Sequence, residues 1–106
     1  MGYLLGIDYD EMRTVAREIT ARAGSLQSIA GSVAARNADA LAVWRGLAAN
    51  VYTGQCERAQ ARAGRVAGRL EDVAAALRFT ADIIEAAERR ARQELEQRMR
   101  SQQGQA

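Results

Sequence analysis

Proline, histidine and lysine are absent from the 106-residue chain, cysteine occurs once, and aromatic residues make up 5% of it. Each shortage excludes something. Without proline, nothing in the chain forces a helix to kink or stop. The scarcity of aromatics disfavours strands, and the abundant alanine, leucine, arginine and glutamate favour helix. The lack of histidine removes the usual general base and the commonest metal ligand. No catalysis, cofactor or metal is therefore expected. Cys56 has no partner for an internal disulfide and reads as a small apolar residue of the interior. Apolar runs such as Ala74–Leu77 fall far short of the ~20 residues a bilayer crossing needs, so no membrane insertion is expected. Residues Met1 to Gly6 lack the basic start and long apolar stretch of a cleaved signal peptide. The basic residues number 15, all arginine, against 13 acidic ones. A net charge of +2 does not by itself imply nucleic-acid binding.

What is present is a pattern of two helices. Asp8 and Glu11 have the spacing of a capping box, and Ile7 and Met12 that of a hydrophobic staple. The seam of helix 1 then runs Met12, Ala16, Ile19, Ala23, Leu26, Ala30 and Val33 in steps of four and three. It weakens at the polar Asn37. The helix is expected over about 8–38, a turn over about 40–46 around Trp44-Arg45-Gly46, and helix 2 over about 47–98. Its seam reads Ala59, Ala63, Val66, Leu70, Val73, Leu77, Thr80, Ile84, Ala87 and Ala91. Residues 1–100 make one hairpin, and 101–106 read as a polar, flexible tail.

The fold class is all-α, an antiparallel two-helix hairpin with a Trp-x-Gly turn, dimerising into a four-helix bundle. A turn near Trp44 places Arg78 opposite the Asp8–Glu11 cluster and Val66 opposite Ala23. Two helices alone bury one stripe each, and such small cores are marginal. No charged residue lies between Arg22 and Arg36, and Val15 and Ile29 widen the apolar stripe there. The middle of helix 1 is therefore expected to be covered on more than one side. Gly24 and Gly31 fit a close helix crossing, where they would remove bulk; Gly64 and Gly68 are weak points or close-packing points. A second hairpin would cover Val15, Ile19, Leu26, Ile29, Val33, Val66, Leu70, Val73 and Leu77, the candidate dimer interface. Helix 2 is the longer helix, and roughly its last 20 residues should project past helix 1.

The length, the two heptad-patterned helices, and Trp44-Arg45-Gly46 followed by Ala48-Ala49 and Tyr52 resemble the small WXG-motif proteins of type VII (ESX) secretion, the early secreted antigenic target family. The resemblance implies a helical hairpin paired with itself or with a paralogous hairpin. It also implies export without a cleaved signal peptide, driven by a secretion ATPase, in some cases with a larger effector as cargo. Trp44 and Gly46 would then belong to a bipartite signal completed by the other subunit's C-terminal tail. The tail motif Tyr-xxx-Asp/Glu does not occur after helix 2 begins: Tyr52 is followed four residues later by Cys56, and Phe79 likewise by Ile83. The looser family spacing is met by Ile84, Glu88, Ala91 and Leu95, the candidate secretion signal. The missing tyrosine suits a subunit whose partner carries the stronger signal, or a non-exported chaperone-like relative.

Other constellations have plainer readings. Arg58, Arg62, Arg65 and Arg69 form a basic stripe beside the apolar seam, where flanking charges usually solvate a helix or pair across an interface. An intracellular adaptor, chaperone or nucleoid-associated protein using that stripe is the alternative function. No stacking aromatics accompany it, which argues against nucleic acid as a partner. Glu71-Asp72 and Asp82/Glu85 read as solvated carboxylates, because a thin hairpin offers no catalytic pocket. Trp44 reads as a hydrophobic plug over the hairpin end as well as a signal element.

Overall fold

The structure, a computed structural model, describes residues 2–104, and in it two helices account for nearly everything. Helix α1 spans Tyr9–Val43 and α2 spans Leu47–Gly104. Asp8 caps α1, its carboxylate accepting from the Glu11 amide at 2.9 Å. Asp10 and Glu11 add negative charge where the helix dipole favours it. The cap is as expected, but α1 continues through Asn37 to Val43. Asn37 interrupts the apolar seam without interrupting the helix. It is half-buried, and its Oδ1 finds no hydrogen-bond partner.

The connector is three residues long. Trp44 is extended, and its amide donates to Ala40 O at 2.8 Å, closing the last turn of α1. Gly46 has φ +102°, a conformation that disfavours any side chain, and its carbonyl accepts from the Asn50 amide at 3.1 Å. The chain thus reverses around Arg45 and the helices run antiparallel in a rod of 91 × 17 × 14 Å.

The residues of the α1 seam, Met12 through Val33, all turn toward α2, with Ala16 and Ala23 fully buried. On α2 the fully buried positions are Ala49, Ala67, Ala74, Ala81 and Glu88, with Cys56 nearly so. Half-buried Ala63, Leu70, Leu77, Ile84 and Ala91 alternate with them. This differs from the expected seam at every second step. Val66 and Val73 are 42% and 50% exposed, Ala59 and Thr80 are exposed and Ala87 is only half-buried, and the residue after each points inward instead. Both phases have the same four-three spacing. Alanine on both helices lets the axes approach closely, and the bulkier valines are displaced to the flank.

The backbone register lies within about a residue of expectation, but the Arg78 contact does not. Arg78 reaches Thr20 Oγ1 at 2.7 Å rather than the Asp8–Glu11 cluster, and Gln60 reaches the Ala30 carbonyl at 3.4 Å. The reversal centres one residue later than Trp44, and the long arginine side chain extends further along the axis. A Cβ added at Gly24, Gly31, Gly64 or Gly68 would meet nothing within 4 Å. These glycines therefore sit at no close crossing within the hairpin. Beyond Ala91 every described residue of α2 is exposed, so its last 13 residues project from the hairpin. The expected flexible tail is helical through Gly104; Gln105 and Ala106 lie outside the described residues.

Candidate functional site

The two long sides of the hairpin are chemically different. On one side Arg13 bridges the helices, donating to Asp82 at 2.7 Å and to both oxygens of Glu85 at 3.2 and 3.3 Å. Its guanidinium also lies 5.5 Å from the Tyr9 ring centroid. Hydrogen bonds to Asp82 and then Glu85 push the Arg13 pKa above its ordinary value. Asp82 and Glu85 are thus not merely solvated, as their sequence context suggests; α1 supplies their partner. Nothing in α2's own sequence reveals that pairing, which depends on the hairpin register. Arg17 and Arg78 lie on the same side, forming a groove with Arg13 and Asp82.

The opposite side is more apolar, although Arg22 and Arg36 share the heptad position of Val15 and Ile29 on it. Ile29 is 61% exposed, and helical spacing places it with Val15 on one flank of the α1 seam. Val66 and Val73 occupy the matching flank of α2. Leu26, Ala59, Arg62, Ala63 and Val66 line a shallow apolar groove there. Of the other candidate interface residues, Ile19, Leu26, Val33, Leu70 and Leu77 are half-buried between α1 and α2. Within the hairpin these five therefore already make seam contacts. Arg58, Arg62, Arg65 and Arg69 are all exposed, as are Glu71 and Asp72.

At the turn, Trp44 is 44% exposed and leans on Tyr52, with ring centroids 5.6 Å apart at 50°. It covers the hairpin end only in part. Val43 and Leu47 beside it are 88% and 80% exposed. Cys56, one helical turn from Tyr52, raises the pKa of the Tyr52 phenol.

The candidate signal segment at the far end is mostly turned inward. Ile84 and Ala91 are half-buried, Glu88 is 1% exposed, and Leu95 is 46% exposed. Glu88 accepts hydrogen bonds from the backbone amides of Leu4 and Leu5, the latter at 3.0 Å. Burial pushes its carboxyl pKa up, but the two amides and Arg92 outweigh this and hold it below the ordinary carboxylate value. The spacing pattern places Glu88 in the candidate secretion signal and holds no sign of this backbone contact.

Among the described residues no cluster of His, Cys, Asp or Glu is arranged to hold a metal, and no helix is long and apolar enough to cross a membrane. Residues 5–89 match the model of the family WXG100, proteins of 100 residues with WXG, and Trp44-Arg45-Gly46 falls inside the match. No curated protein and no solved structure matches the chain. Members of the family are small type VII secretion substrates, not enzymes, and typically form homo- or heterodimers. With most of its length matched, from residue 5 to residue 89, this chain belongs to the WXG100 family.

Proposed function

We propose that the chain is a subunit of a type VII secretion dimer, a non-enzymatic hairpin that pairs through its apolar side and is exported with its partner. The observation that carries this reading is the stripe of Ile29, Val66 and Val73, left exposed beside the alanine seam and opposite the charged side. Two hairpins laid together on these stripes form a four-helix bundle and cover the uncharged middle of α1.

Charge favours a second copy of the chain as the partner. Residues 19–70, the turn half, carry seven arginines against Asp39 and Glu57. The segments 8–18 and 71–88 together carry nine carboxylates against Arg13, Arg17 and Arg78. Head-to-tail pairing sets the basic half of each copy against the acidic half of the other, whereas head-to-head pairing opposes like charges. Arg58, Arg62, Arg65 and Arg69 would then flank the interface. A larger effector escorted by the dimer, and the secretion ATPase, complete the set of proposed partners.

Export is tested in the native host, with and without the type VII membrane ATPase and with a lysis control. ATPase-dependent appearance in the medium is the expected result. Strict retention in the cytosol, even with the product of the neighbouring gene co-expressed, contradicts the reading.

A further inference from the structure

The segment ahead of α1 does not trail away from it. The Gly6 amide donates to the Tyr3 carbonyl at 3.0 Å, closing a turn in which Gly6 has φ +70°. The Tyr3 hydroxyl donates to Asp10 at 2.7 Å, which pushes the phenol pKa up, and its ring meets Tyr9 edge-on at 4.8 Å. The turn itself lies against α2. Leu4 and Leu5 give their amides to the two oxygens of Glu88, so each oxygen has its own donor. Glu88 also pairs with Arg92 at 3.5 Å.

Glu88 is the one charged side chain in the interior of the described residues. A carboxylate withdrawn from water is tolerated only where donors replace its hydration. Here most of those donors come from backbone more than 80 residues away. Glu88 is also the acidic member of the Ile84, Glu88, Ala91, Leu95 segment. Lying beneath residues 4 and 5, it is not open to an approaching surface. Leu4, by contrast, is 50% exposed and lines one groove with Arg92, Leu95, Glu96 and Met99.

We propose that Glu88 is a positioning residue: it pins the N-terminal segment to α2 and serves the helix-end segment through that strap, not as a side chain touched by a partner. The two ends of the chain then act as one unit. Leu4 joins Leu95 and Met99 on the projecting end of α2 only while the strap is fastened. The role of this unit in export rests on the type VII reading above; the clasp itself does not.

The test uses the full chain, Glu88→Gln, Glu88→Ala, and a chain lacking residues 2–6 in which Glu88 is intact. Hydrogen exchange reads the Leu4 and Leu5 amides, and the Met99 methyl resonance reads the groove. In the wild-type chain both amides are expected to be protected by roughly tenfold or more. Glu88→Gln keeps an acceptor and leaves partial protection; Glu88→Ala abolishes it with the α2 amides around Ala81 unchanged. The Met99 methyl moves to the same position in Glu88→Ala and in the shortened chain. In the export assay, the shortened chain falls with Glu88→Ala. Unprotected wild-type amides, or a Met99 methyl indifferent to Glu88→Ala, overturn the clasp. Wild-type export of the shortened chain together with failed export of Glu88→Ala shows instead that Glu88 is read directly. If the wild-type chain is not exported at all, the type VII reading falls, and the amide and methyl readouts still decide the clasp.

Discussion

Arg13 and Asp82 meet across the hairpin at 2.7 Å, and with Glu85 they tie the first turns of α1 to one level of α2. The bridge lies on the charged side and is partly solvated, with 70% of the Asp82 side chain exposed. Such pairs contribute modestly and weaken with salt. Arg13→Ala is expected to lower the thermal midpoint by a few degrees at low salt, and less at high salt. A combined Arg13→Ala, Asp82→Ala and Glu85→Ala variant should fall little further, because one network has already been lost. Thermal melts by circular dichroism at two ionic strengths check this.

Ala16, Ala23, Ala67, Ala74 and Ala81 of the alanine seam are 0% exposed. Ala74→Leu forces extra bulk between the helices and is expected to cost about 1–3 kcal/mol in chemical denaturation. Val73→Ala, one residue away on the exposed flank, is expected to change the stability of the monomeric hairpin by no more than about 0.5 kcal/mol, read at a protein concentration low enough to dissociate the proposed dimer. The ordering reverses if the sequence-based phase, with Val73 inside, is the right one.

Gly46→Ala tests the connector. At φ +102° a side chain is strained whatever space surrounds it, and the space around this residue is open, so the cost is purely conformational. About 1–3 kcal/mol of lost stability is expected, with helix content unchanged below the transition. Denaturant titration measures it.

Acid should unfasten the N-terminal strap. The Glu88 carboxyl is held below its ordinary value in the folded chain. Its contribution is therefore complete above the unfolded carboxylate value and is lost as the pH falls through the lowered folded value. Protection of the Leu4 and Leu5 amides should disappear over that acid window in the wild-type chain. In Glu88→Gln the same amides should show no carboxylate titration.

Much of this fold can be read from the sequence, because helix formation and amphipathic periodicity are local. The Asp8 cap, the α1 seam from Met12 to Val33 and the reversal around Trp44-Arg45-Gly46 follow from spacing and residue type. The phase of the α2 seam does not. Val66 and Ala67 satisfy the same four-three rule, and choosing between them requires knowing how closely the axes approach. The end of α1 is also obscure, since Asn37 signals a break in the seam and the helix bridges it. The Glu88 contact is hidden for another reason. Its donors are backbone amides of Leu4 and Leu5, and an amide carries no residue-specific signature. Arg13 with Asp82 and Glu85 is similarly out of reach until the register is known.

The pairing face is tested most directly by sedimentation velocity of the purified chain, beside Val66→Arg and Val73→Arg variants checked for helix content. The account predicts a dimer for the wild-type chain, weakened by salt, and helical monomers for both variants. A wild-type chain that stays monomeric alone and with its genomic neighbour, or variants that pair as tightly as wild type, would contradict it.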